Sequence, residues 1–74
     1  NPVTDGKMYV RSSQNETVSV ELIGTSGTVV LSSEVVADPF SPALVDLSAV
    51  MTGAYKAKVT DKSGKVYTQN IVKL

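Results

Sequence analysis

Lysines are the side chains whose spacing in this sequence most invites chemistry. Lys56 and Lys58 stand two apart in an alternating stretch, so they project from one face of a strand, and Lys65 and Lys73 lie on the segment that would pair with it. Five lysines against Asp61 give residues 55–74 a net charge of +4; before them, Lys7 and Arg11 against six acids leave −4. A basic hairpin of this kind suits a docking surface for an acidic partner. Lysines on an open sheet face or edge also serve solvation and protection against unwanted pairing, and both readings stay open here.

Catalytic chemistry finds little material. With His 0 and Cys 0, imidazole acid–base mechanisms, thiol nucleophiles and the usual transition-metal ligand sets are missing. No serine has a histidine partner, and no Ser is followed by Lys three residues on. A carboxylate pair such as Asp5 with Asp46 would have to be created by the fold. Asp61-Lys62-Ser63-Gly64 resembles the opening of a calcium loop but lacks the later acidic ligands, so turn chemistry accounts for it. Asn15-Glu16-Thr17 has the form of a glycosylation sequon and reads as a loop. The expectation is a non-enzyme with no metal and no cofactor. Aromatic residues at 5% and a formal net charge of +0 also argue against nucleic acid as a partner.

Short strands must position these side chains. Apolar residues alternate with period two and nowhere hold a 3.6 repeat over a helix length, with Val recurring between Thr and Ser. Turn signals fall at Asp5-Gly6, Gly24 to Gly27, Asp38-Pro39 with Ser41-Pro42, Thr52-Gly53 and Asp61 to Gly64. The pattern predicts an all-β antiparallel sandwich of six to seven strands in one domain over residues 1–74. No run is long and apolar enough for a membrane helix. The start carries no leader pattern and begins with Asn, so the chain reads as a fragment of a longer protein.

Strands are expected over 7–12, with Met8 and Val10 inward, and over 17–23, with Val18, Val20 and Leu22 inward. A third, over 28–36, is expected to bury Val29, Leu31 and Val35, with Val30 and Val36 partly covered on its other face. A short strand over 44–47 leads into a corner, and 53–60 sets Tyr55, Ala57 and Val59 against Lys56 and Lys58. Phe40 lies between prolines that cannot donate ladder bonds, and is expected to anchor that crossover in the core. In the last strand, over 65–74, Val66, Thr68, Val72 and Leu74 share one face and Tyr67, Ile71 and Lys73 the other. A bulge near Asn70 is expected to reconcile them.

The stretch from Asp46 to Val59, with Asp46-Leu47-Ser48, Gly53, Tyr55 and Lys58-Val59, resembles the DLSxLxxGxYxxKV core of the C-terminal sorting domains of the Bacteroidetes type IX secretion system. Asn1-Pro2 resembles that family's opening motif, the segment from Val20 to Leu31 around Gly27 its hairpin, and Thr68 to Leu74 its close. Two positions depart: Asn70 stands where the family often has Lys, and Val50-Met51 where it often has Leu-Pro.

The resemblance implies an immunoglobulin-like sandwich at the C-terminus of a secreted cargo protein. Such a cargo crosses the periplasm, is recognised by an outer-membrane translocon, and is released or held at the cell surface. A sortase-like protease there removes the domain and attaches an anionic lipopolysaccharide anchor. Recognition is expected at Lys56, Lys58, Ile71, Val72 and Lys73, while Asn1, Pro2, Gly27, Gly53 and Tyr55 carry mainly structural roles. A free final strand would also permit a homodimer by strand exchange. A different class of reading is an immunoglobulin-like adhesin or carbohydrate-binding module using Tyr9 and Tyr67, and a third is a structural spacer.

Overall fold

Alternation along the sequence becomes two faces in space. The computed structural model describes residues 2–3, by their backbone, and 6–74; Asn1 and Asp5, singled out above, lie outside the described residues. The strands are β1 (Pro2–Val3), β2 (Lys7–Val10), β3 (Glu16–Gly24), β4 (Val29–Ala37), β5 (Ala43–Asp46), β6 (Gly53–Thr60) and β7 (Val66–Lys73). One sheet has the order β1-β7-β6-β3-β4, and β2 with β5 forms a second. The result is all-β, a small immunoglobulin-like sandwich in which every pairing is antiparallel except β1 on β7.

The core forms where the two inner faces meet. β3, paired on both sides by β6 and β4, supplies Val18, Val20 and Leu22; Ala37 of β4, Ala57 of β6 and Ile71 of β7 flank them. Val10, Ala43 and Val45 descend from the smaller sheet, and Leu47 and Val50 plug the end from the corner after β5. Leu22, Leu47 and Val20 are the largest side chains fully withdrawn from water. Burying side chains of this kind contributes roughly 1.5–3 kcal/mol each before ordering costs are subtracted.

Several expectations need correction. Phe40 is 94% exposed, because Asp38 Oδ1 accepts hydrogen bonds from the backbone N–H of Phe40 (2.8 Å) and Ser41 (2.7 Å), folding a turn that aims the ring at solvent. Val29 is exposed as well. The register slips between Leu22 and Ile23, which face Leu31 and Val29, so Val30 is the extra residue of a bulge at the hairpin end of β4. β6 and β7, by contrast, pair without interruption from Gly53↔Lys73 to Thr60↔Val66, and there is no bulge near Asn70. Regular pairing puts Ile71 inward and Val72 outward. Val36 is 62% exposed on an outer face that no described strand covers. Finally, the last strand is not a bare edge: Pro2 and Val3 run parallel beside Val72 and Lys73.

The corner before β6 is built around Tyr55. Its ring packs against the core, and its hydroxyl donates to the Met51 carbonyl at 2.6 Å, four residues back. This is the tyrosine-corner device of immunoglobulin-like sandwiches, in which a phenol pins the loop that precedes its own strand. Gly53 suits the corner through its backbone: its φ of +155° is strained for any residue with a Cβ. Tyr55→Phe keeps the packing and loses the bond. It is expected to lower stability by about 1 kcal/mol in urea unfolding, with the folded circular dichroism spectrum unchanged.

Candidate functional site

Hairpin geometry decides which lysines can act together. On the β6–β7 ladder, directly opposed residues share a face, so Ala54↔Val72, Lys56↔Asn70 and Lys58↔Thr68 form the outer side. Tyr55↔Ile71, Ala57↔Gln69 and Gly53↔Lys73 form the inner side. The sequence-predicted set therefore splits. Lys56, Lys58 and Val72 lie together on the open outer face. Ile71 is buried in the core, and Lys73 turns inward, where its Nζ donates to the carbonyls of Val50 (2.5 Å) and Ser48 (3.5 Å).

Lys73 is thus a structural clasp. It holds the corner between β5 and β6, the same corner that Tyr55 fixes from the other strand of the hairpin. Nothing in a sequence window reveals this, because Ser48 and Val50 contribute backbone oxygens. Lys65 also leaves the outer face, with its Nζ 5.3 Å from the centroid of the Tyr67 ring in a cation–π contact.

The outer-face lysines differ from each other. Lys58 lies 3.8 Å from Glu21 on β3, a half-exposed pair worth little in stability but enough to screen the charge. Lys56, flanked by Ile23 on β3 and Asn70 on β7, makes no ion pair among the described residues. Around it the sheet presents Ala54, Val72 and Thr68. The patch is a mildly apolar, positively charged surface fit for a broad contact.

Two turns of one design bound this region. Gly24 N–H donates to Thr28 C=O (2.8 Å) and Gly27 N–H to Gly24 C=O (2.9 Å), with Gly27 at φ +86°. Asp61, Gly64 and Lys65 repeat the arrangement at 2.9 and 3.0 Å. These are three-residue hairpin loops closed by a residue in the left-handed region. In the second, Asp61 Oδ1 accepts from Ser63 Oγ (2.6 Å), Lys65 N–H (2.9 Å) and Ser63 N–H (3.0 Å). Glu16 ties the turn to the neighbouring loop: its Oε1 accepts from Lys62 N–H at 2.9 Å and its Oε2 from Ser12 Oγ at 2.5 Å. The loop-like sequence is a turn whose carboxylate is consumed by its own backbone.

Those bonds carry a pH dependence. The Ser63 hydroxyl, then the Lys65 and Ser63 N–H groups, hold the Asp61 carboxyl below the ordinary value near 3.8. Hydrogen bonds from Ser48 do the same for Asp46, with Lys7 and Lys73 adding to the effect. A carboxyl depressed in the folded state contributes stability above its unfolded pKa and loses it as pH falls through the folded one. The melting temperature is therefore expected to stay level from neutral pH down to about 5 and to drop below about 4. Asp61→Asn should flatten that acid limb in melts followed by circular dichroism.

A second feature lies on the inner side. Two strands cannot cover five, and the uncovered part leaves a groove of about 630 Å³ between β2 and the β6–β7 hairpin, floored by Ala57, Val59 and Ile71. Tyr9 and Tyr67, 57% and 50% exposed, both line it. Tyr9 points outward from the smaller sheet as expected, whereas Tyr67 belongs to the inner face and is exposed only because the cover stops short.

No curated protein and no solved structure matches the chain significantly. The model of one protein family does, the secretion system C-terminal sorting domain, over residues 1–73. That family is one of sorting signals and not of enzymes. An all-β sandwich with a Gly-x-Tyr corner and a lysine-bearing terminal hairpin, matched from end to end in this way, belongs to the secretion system C-terminal sorting domain family.

Proposed function

We propose that this chain is the export address of a longer cargo protein lying N-terminal to it, read in the periplasm by the outer-membrane translocon of a type IX secretion system. The observation that carries the reading is the family match across residues 1–73. After passage, a sortase-like surface protease cuts upstream of the domain and the cargo receives a lipid-linked anchor or leaves the cell. The domain is the protease's substrate and contributes no catalytic group.

Recognition in this reading uses the terminal hairpin at two levels. Lys56, Lys58 and Val72 make the contact, since they share the uncovered face and Lys56 has a charge to offer. Ile71 and Lys73 keep that face in shape from beneath, through the core and through the corner carbonyls. An acidic, partly apolar surface is the complementary partner.

The test is an export assay with the chain fused behind a signal peptide and a fluorescent reporter, in a Bacteroidetes host with and without the translocon. Surface or medium fluorescence that requires the translocon supports the reading. Reporter retained in the periplasm of both strains overturns it. With export established, Lys56→Glu combined with Lys58→Glu is expected to reduce it at least about tenfold, the loss of one good charge contact.

A second reading rests on Tyr9 and Tyr67 lining one groove, as a glycan-binding adhesin module would require. Titration with a panel of oligosaccharides, followed by tyrosine fluorescence, decides it; no change at millimolar sugar removes it.

A further inference from the structure

β4 is the outermost strand of the five-stranded sheet, and among the described residues nothing pairs with its far side. The opposite edge is partly closed, by β1 on the end of β7. An edge strand presents alternate N–H and C=O groups outward, and proteins guard such edges with Lys, Pro, inward charges or bulges. β4 reads Val-Val-Leu-Ser-Ser-Glu-Val-Val-Ala. It has no Lys and no Pro, Glu34 is its one charge, and its bulge sits at the hairpin end, leaving Leu31–Ala37 in unbroken register with β3. Val36 and Val30 are 62% and 48% exposed along it.

We propose that β4 is a self-association edge that takes the β4 of a second copy, antiparallel, about a two-fold axis at Ser33. This inference stands apart from the export reading and needs none of its machinery. The register follows from charge and apolar matching together. An axis at Glu34 would set two carboxylates directly opposite each other, which is repulsive. Moving the axis one residue to Ser33 sets Glu34 opposite Ser32 of the other copy, where a hydroxyl can donate to the carboxylate. It also brings Val36 opposite Val30 of the other copy and Leu31 opposite Val35, so apolar residues meet on both faces.

Two five-stranded sheets become one of ten strands, and the β6–β7 hairpins stay at its two ends, outside the contact. A strand-to-strand contact of this length lies at the small end of interfaces, so the dimer is reversible and half formed on the order of 100 μM.

Sedimentation equilibrium of the 74-residue chain near pH 7, from about 10 μM to about 1 mM, tests this. The wild type is expected to pass reversibly from monomer to dimer. Ser32→Lys places a cation opposite Glu34 of the other copy twice per dimer and should tighten association about tenfold; Ser32→Glu should weaken it by a similar factor. Ser32 is exposed and faces Glu21 within its own chain, so circular dichroism melts check that both variants fold. Val36→Lys, at an exposed outer position, gives an independent loss of association if the glutamate variant does not fold. A wild type that stays monomeric to the highest concentration overturns the proposal. So does a dimer whose constant ignores the Ser32 substitutions, the result expected of exchange through β7.

Discussion

Leu22→Ala is expected to cost about 3–4 kcal/mol of unfolding free energy, while Phe40→Ala costs less than about 0.5, although Phe is the larger side chain. Leu22 sits near the hairpin end of β3, an interior strand, opposite Ala57 on one side and Leu31 on the other, fully withdrawn from water. Truncation leaves a void walled by β-strands that cannot collapse without breaking ladder bonds, so the cavity cost adds to the lost transfer free energy. Domains of this length hold roughly 4–11 kcal/mol in total, so the variant gives up a large share of its stability. Phe40 touches mostly solvent and is held outward by the Asp38 turn. Urea unfolding followed by circular dichroism checks both. A comparable loss in the two variants would mean that Phe40 closes the core after all.

The contrast between these two residues shows what a sequence of this kind reveals. Period-two alternation identified the inward side of β3 residue by residue, because a strand whose two faces differ has one register that buries its apolar set. The same logic placed Ala57, Lys56 and Lys58 correctly. Phe40 lay outside any alternating run and was expected in the core as the anchor of its crossover, but the local turn chemistry of Asp38-Pro39 outweighed the side chain's hydrophobicity. Turn residues answer to their own hydrogen bonds first.

Long-range facts were harder to read. That Pro2 and Val3 close the end of β7 depends on a parallel pairing across almost the whole chain, for which no local pattern exists. The bulge at Val30 and its absence at Asn70 depend on which strands lie alongside. Of the candidate site, the charge on the hairpin was legible and its division between faces was only half so. Lys73 was grouped with Lys56 and Lys58 as one charged surface, and only the unbroken β6–β7 register separates them, turning Lys73 to the Val50 and Ser48 carbonyls of the corner. Tyr55 was legible as a structural residue beside Ala57 and Val59, whereas its hydroxyl's partner is a backbone carbonyl that a sequence does not mark.

Deleting residues 70–74 is expected to abolish export in the reporter assay, and the structure gives that result a more demanding interpretation than loss of a tag. The deletion removes Ile71 from the core, a loss of about 2–4 kcal/mol by itself. It also removes the Lys73 clasp and the stretch of β7 that pairs with Gly53, Ala54, Tyr55 and Lys56. The sum approaches the whole stability of so small a domain, so the truncated chain should lack a cooperative melt. Failure to export would then report an unfolded signal. Val72→Glu separates the two causes: Val72 points outward opposite Ala54, so the melt should shift by only a few degrees, as expected for a surface substitution. If this variant folds and its export still falls about tenfold or more, the outer face of the hairpin is read by contact. If it exports normally while the deletion does not, the machinery senses the folded sandwich as a whole, and Lys56 and Lys58 matter only as solvated residues of an open sheet.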